Sequence, residues 1–74
     1  MGGEMRYGRW YRDQEYLCIR VRPGFTYEIP LTWCRAREER ERWLDHMAEK
    51  TWISQGDLID LETAFEQIFT GVRA

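Results

Sequence analysis

Tyr7, Arg9 and Tyr11, and then Tyr16, Cys18 and Arg20, are spaced by two along runs that alternate like strands. Residues i, i+2 and i+4 of an extended chain share one face, so this spacing would set phenol rings and guanidiniums side by side on one surface of a sheet. Such a lattice is chemically suited to stack bases or grip phosphates. It suits protein recognition equally well, because tyrosine and arginine combine a large contact area with a polar end. The same residues can also do no more than stabilise an open sheet through cross-strand aromatic pairs.

A second cluster has the opposite sign. Residues 51–74 carry Asp57, Asp60, Glu62 and Glu66 against Arg73 alone, whereas residues 1–34 carry five arginines and four acids. An acidic helix of this kind could engage a basic groove on nucleic-acid-handling machinery by charge complementarity. It also matches an ordinary solvated helix with acids in its first turn. The whole chain has a net charge of −2, without the basic excess of a duplex DNA binder.

Catalytic chemistry has little to start from. There is no Gly-rich phosphate loop, no HExxH and no GxSxG, and His46 is the only histidine, set among Asp45 and Glu49 on a charged segment as a solvated imidazole would be. Cys18 and Cys34 are separated by fifteen residues, with no CxxC or Cys/His cluster to hold zinc. They read as reduced thiols packed as small hydrophobes, with a single disulfide as the other option. Cys34 near a helix N-terminus could be activated by the helix dipole, yet no base is assignable to it. The expectation is therefore no catalytic residue, no metal and no cofactor.

The elements that must position these groups follow from periodicity and punctuation. Pro23-Gly24 separates two alternating runs: Leu17, Ile19 and Val21 share a face in the first, and Phe25, Tyr27, Ile29 and Leu31 in the second. A plain two-residue loop would mix those faces. An odd-numbered connection or one bulge instead sets Val21 by Phe25, Ile19 by Tyr27 and Leu17 by Ile29. Upstream, residues 6–12 read as a third strand, with Asp13-Gln14 as the turn and Trp10 opposite Leu17 in the core. Tyr7, Arg9 and Tyr11 then join Tyr16, Cys18 and Arg20 on the outer face.

After Leu31 the period becomes helical. Ala36, Trp43, Leu44, Met47 and Ala48 form one stripe, with Thr32 as the N-cap and Glu38–Arg42, Arg35–Glu39 and Arg37–Glu41 as ion pairs. A second helix begins at Ser54 with Asp57 at the capping-box position and Ile53–Leu58 as a hydrophobic staple. Leu58, Leu61, Phe65, Ile68 and Val72 continue its apolar face up to Gly71, a C-terminal cap. Trp52 should cover the link between the helices. Trp33, Ile59 and Phe69 fall off the predicted faces, as a contact patch or as filling for the ends of a small core.

The 74 residues, 43% hydrophobic and 32% charged, are a globular composition of one-domain size. The reading is a single α+β domain over residues 1–74: a three-stranded antiparallel meander (about 6–12, 15–22, 25–31) followed by two amphipathic helices (about 33–49, 55–70) packed on one face. No run is apolar enough for a membrane span or a signal core, which implies a cytoplasmic protein without a membrane partner. So small a core leaves pairing into a homodimer open.

The segment Tyr27-Glu28-Ile29-Pro30-Leu31, together with Trp43-Leu44-Asp45-His46-Met47-Ala48-Glu49-Lys50-Thr51-Trp52, resembles small proteins carried by bacterial phages and plasmids, over roughly residues 6–70. The resemblance implies a mobile-element origin, a setting in which proteins of this size are often inhibitors of host defence, anti-CRISPR proteins among them. No residue role transfers with it. The sequence thus leads to the expectation of a non-enzymatic inhibitor that occludes a host protein or nucleoprotein complex of the CRISPR type. Its contacts would be Tyr7, Arg9, Tyr11, Tyr16, Arg20, Asp57, Asp60, Glu62 and Glu66. The rival expectation is a single-stranded nucleic-acid binder working through the Tyr/Arg face alone.

Overall fold

A computed structural model describes residues 6–70. The class is α+β as expected, but the sheet has four antiparallel strands, in the order β1 (Arg6–Tyr7), β2 (Trp10–Asp13), β3 (Tyr16–Arg22) and β4 (Phe25–Pro30). A 3-10 turn (Leu31–Trp33), helix α1 (Arg37–Ala48), helix α2 (Gln55–Phe65) and a π turn (Glu66–Thr70) follow among the described residues. Among the described residues no helix is long and apolar enough to cross a membrane.

The extra strand comes from Gly8. Its φ of 66° is a left-handed conformation that glycine adopts without a Cβ clash, and it turns the chain with Arg9 so that Tyr7 pairs with Trp10. The expected continuous strand over residues 6–12 is therefore two strands joined by a two-residue hairpin. Because cross-strand partners share a face, this turn moves Tyr7 to the face of Trp10 and leaves Arg6 opposite Tyr11.

The next turn is Gln14–Glu15 rather than Asp13–Gln14, so Trp10 pairs with Ile19 instead of Leu17. A shift of two residues leaves every face assignment unchanged, and Trp10 is fully buried as expected. Between β3 and β4, Leu17 lies opposite Ile29 and Ile19 opposite Tyr27, with a register shift between Arg20 and Arg22. Val21, expected beside Phe25, is the bulged residue, and Arg22 takes the place opposite Phe25. Pro23 followed by Gly24 at φ 86° has the form of a type II turn, which splays strands, and a bulge restores the twist and the apolar register.

The helices cover only one face of this sheet. Tyr7, Trp10, Leu17, Ile19 and Ile29 from the strands form one buried cluster with Met47, Leu61, Ala64 and Phe65 from the helices. Helix α1 starts later than the expected residue 33, and Thr32 is not its cap. Leu31 is buried, and the Cys34 amide bonds back to its carbonyl at 3.1 Å, so a tight turn comes first. The N-cap is Ala36, whose amide donates to Glu39 Oε1 at 3.1 Å, while Arg40 Nη1 reaches back to the carbonyls of Cys34 and Arg35. Of the three expected ion pairs only Arg37–Glu41 closes, at 3.4 Å between exposed groups.

Ser54 and Asp57 form the expected capping box: the Asp57 amide donates to Ser54 Oγ at 3.0 Å and the Ser54 amide to Asp57 Oδ2 at 3.1 Å. The second helix is regular only to Phe65 and then widens into the π turn. Gly71 and Val72 lie outside the described residues.

Candidate functional site

With the inner face covered, the outer face of the sheet presents three cross-strand rows. Arg6, Tyr11, Cys18 and Glu28 form one, Asp13, Tyr16 and Pro30 a second, and Arg20 with Thr26 a third. Tyr16 is 44% exposed, and Arg20 is exposed with no ion pair among the described residues. Tyr11 is half-buried and carries the Arg6 guanidinium over its ring at 5.6 Å. Arg6, Gly8, Arg9, Tyr11 and Arg20 line a cavity of about 390 Å³ on this face.

Two of the five residues expected here have other work. Tyr7 is a core residue, 7% exposed, and its hydroxyl has no hydrogen-bond partner among the described residues. The Gly8 turn reversed its face, so it is withdrawn from the contact set. Arg9 sits in that turn and bridges outward: Nη1 donates to Asp57 Oδ2 at 2.8 Å and Nη2 to the carbonyl of Arg20 at 3.1 Å. It still lines the cavity, but it is first of all a strut between the sheet and α2.

The acidic surface of the second helix is largely dismantled. Asp57 is 4% exposed; its carboxylate takes the Ser54 amide and Arg9, and its carbonyl takes the indole N–H of Trp10 at 2.9 Å. A carboxylate with those partners holds the helix start to the sheet and is unavailable to a partner. Asp60 is half-buried against Gly8, where a Cβ would collide with its carboxylate. Glu62 and Glu66 are exposed, but they line a groove of about 580 Å³ with Arg37 and Arg40, so their field is shared with cations.

Both cysteines are free and buried. Burial pushes the Cys18 thiol up to about 11, with the nearby Glu28 and Asp13 carboxylates adding to the effect. Burial raises Cys34 to about 11 as well, Glu39 adding and Arg40 opposing, and its Sγ lies 3.5 Å from the Pro30 carbonyl. A thiol held protonated in this way is not an activated nucleophile at neutral pH. Among the described residues no group of three or more His, Cys, Asp or Glu is placed to hold a metal ion.

Two features escaped the sequence reading. Arg6 belongs to the outer face, which only the Gly8 turn reveals; the Tyr-Gly-Arg step was the available signal. A ribbon of rings also runs along the β4 edge: Trp52 packs on Phe25 at 6.3 Å and on Tyr27 at 5.5 Å, and Tyr27 Oη lies 3.4 Å from His46 Nε2. Trp52, within the link between the helices, thus packs that link onto the rings of β4. Trp33 and Ile59 are exposed at 64% and 58%, as their off-face positions required, whereas Phe69 packs on Phe65 at 6.2 Å under the Arg40 guanidinium.

Comparison with protein-family models, with curated proteins and with solved structures finds no match to this chain.

Proposed function

We propose that this protein is a non-enzymatic binding module of mobile-element origin. It acts in the cytoplasm as an inhibitor of the anti-CRISPR kind and occupies a host nucleoprotein effector complex through the outer face of its sheet. The observation that carries the reading is the asymmetry of that sheet. One face is sealed by both helices, whereas among the described residues no element covers the other, which bears Arg6, Tyr11 and Arg20 around a cavity and Tyr16 in the neighbouring cross-strand row. Paired strands fix the backbone beneath these side chains before any partner arrives, so no backbone ordering has to accompany docking. Tyrosine and arginine are also the residues whose truncation costs most in protein interfaces.

The acidic residues contribute differently from the sequence expectation. Asp57 and Asp60 are taken up by the fold, so the contact surface reduces to the sheet face, with Glu62 and Glu66 outside it.

Capture of candidate effector complexes on the tagged protein tests this reading. The Tyr16→Ala, Arg20→Glu double variant should lose capture at least about tenfold, the scale of one hot-spot pair, while Glu62→Lys, Glu66→Lys should retain it. Equal capture by both variants, or none by the unmodified protein, would remove the outer face from consideration.

A further inference from the structure

A second cavity of about 390 Å³ draws on none of the outer-face residues. It is lined by Trp33 from the 3-10 turn and by Glu39, Arg42, Trp43 and His46 from α1. The four helix residues recur at intervals of three, one and three, so they share one side of α1. Trp33 is largely in water, although the backbone around it is fixed: Leu31 is buried and its carbonyl takes the Cys34 amide. An indole exposed on a fixed backbone has a large apolar surface to gain by burial against a ligand.

The two charges in this cavity do not cancel each other. Glu39 and Arg42 stand three apart, where a helix brings side chains within reach, yet no ion pair closes between them. Glu39 is half-buried, and its Oε1 takes the Ala36 amide at 3.1 Å, one of about four bonds a carboxylate can accept. Arg42 is exposed, with no ion pair among the described residues. His46 lies edge-on to Trp43, at 5.7 Å and 81°, and its Nε2 is 3.4 Å from Tyr27 Oη, so the imidazole forms a wall between two rings.

Each of these groups narrows the ligand. Exposed indole surface suits a planar aromatic group, and a free guanidinium suits an anion such as phosphate. Arg42 likewise disfavours a cationic ligand, which rings and a carboxylate alone would accept. A carboxylate can only accept hydrogen bonds, so it favours a ring edge that carries donors. Among the nucleobases only guanine sets two donors, its N1–H and 2-amino group, side by side on the Watson–Crick edge. Adenine and cytosine place a ring acceptor beside their amino group, and thymine flanks its single N–H with carbonyls. The cavity volume falls in the range of small-ligand sites.

We propose that this cavity is a guanine-nucleotide site, in which the base stacks on Trp33, Glu39 accepts from the base edge and Arg42 binds the phosphate. The site shares no residue with the outer-face cavity and does not depend on it. The same chemistry serves a free nucleotide or an unpaired guanosine within a strand.

Calorimetric titration of the full chain with GMP, AMP and guanosine tests it. GMP binds, and AMP and guanosine bind at least about tenfold more weakly, the scale of one charged hydrogen bond. Trp33→Ala, at an exposed position that leaves the fold intact, weakens GMP about tenfold or more, the scale of one base–aromatic stack. Arg42→Gln weakens GMP about tenfold and leaves guanosine unchanged. Glu39→Gln keeps the Ala36 bond through its amide oxygen and brings GMP down to the level of AMP. Equal binding of GMP and AMP to the unmodified protein would overturn the proposal, as would no binding of GMP, or Trp33→Ala or Arg42→Gln with unchanged affinity. An oligothymidine carrying one central guanosine, bound more tightly than GMP, assigns the site to a strand; the reverse order assigns it to a free nucleotide. The Tyr16→Ala, Arg20→Glu variant binds GMP as the unmodified protein does, and a loss there would overturn the placement of the site. Complex capture without GMP binding sinks this inference alone, and GMP binding without capture sinks the outer-face reading alone.

Discussion

The outer sheet face and the first turns of α2 begin as comparable charge clusters and end in opposite roles. On the sheet, Arg20 and Tyr16 sit within a strand whose alternation points them outward, and among the described residues neither side chain has a hydrogen bond or ion pair. On the helix, Asp57 sits at the third position, where free amides and the positive end of the helix dipole attract a carboxylate, and Arg9 arrives from the Gly8 turn to pair with it. A charged residue at an element boundary is drawn into the fold because the boundary has unmet hydrogen bonds. One in mid-strand, on an uncovered face, has none to meet.

The strongest way to break this comparison is to remove one charge from each region. Asp57→Ala deletes the back-bond of the capping box and the Arg9 pair. It should lower stability by about 3 kcal/mol, an upper figure because Arg9 is partly exposed and recovers solvation. Arg20→Gln should stay within about 0.5 kcal/mol, as surface changes do. Denaturant midpoints at constant slope measure both, and comparable losses would erase the distinction between strut and surface.

The next test concerns the turn that separates the two regions. Gly8→Ala must hold a φ of 66° and push against the Asp60 carboxylate, so a loss of about 2 kcal/mol is expected. Asp60→Ala combined with it should recover the collision but not the backbone strain. A double variant no better than Gly8→Ala would show that Asp60 moves aside freely.

The smallest effect comes from the two thiols, one beneath the outer face and one in the core. Each is raised from 9.0 to about 11, so the folded chain keeps protons that the unfolded chain has released. Stability is then full below pH 9 and declines between about pH 9 and 11, by about 1 kcal/mol per thiol near pH 10. Unfolding midpoints across that range should flatten in Cys18→Ala, Cys34→Ala. A slope that persists in the double variant would belong to other groups.

Much of the architecture was legible along the chain. The pairing of Leu17 with Ile29 and Ile19 with Tyr27 followed from requiring one continuous apolar face, and the bulge from the arithmetic of the Pro23–Gly24 loop. The Ser54–Asp57 box was visible because capping is local and depends on residues three apart. Tyr7 was misplaced because a single glycine can continue a strand or reverse it, and alternation alone does not distinguish the two. Arg6 was missed for the same reason.

What the chain determined by itself was therefore much of what short-range geometry sets: the α+β class, the Leu17–Ile29 and Ile19–Tyr27 pairings, the start of α2 and the division of most strands into two faces, though not the Gly8 turn. Tertiary structure decided which charges remain available, because the Arg9–Asp57 pair joins residues 48 positions apart and exists only once the helices lie on the sheet. It also decided that three arginines meet around one cavity. Electrostatic neighbours are fixed by distance in space, and for residues this far apart in sequence that distance is a product of packing.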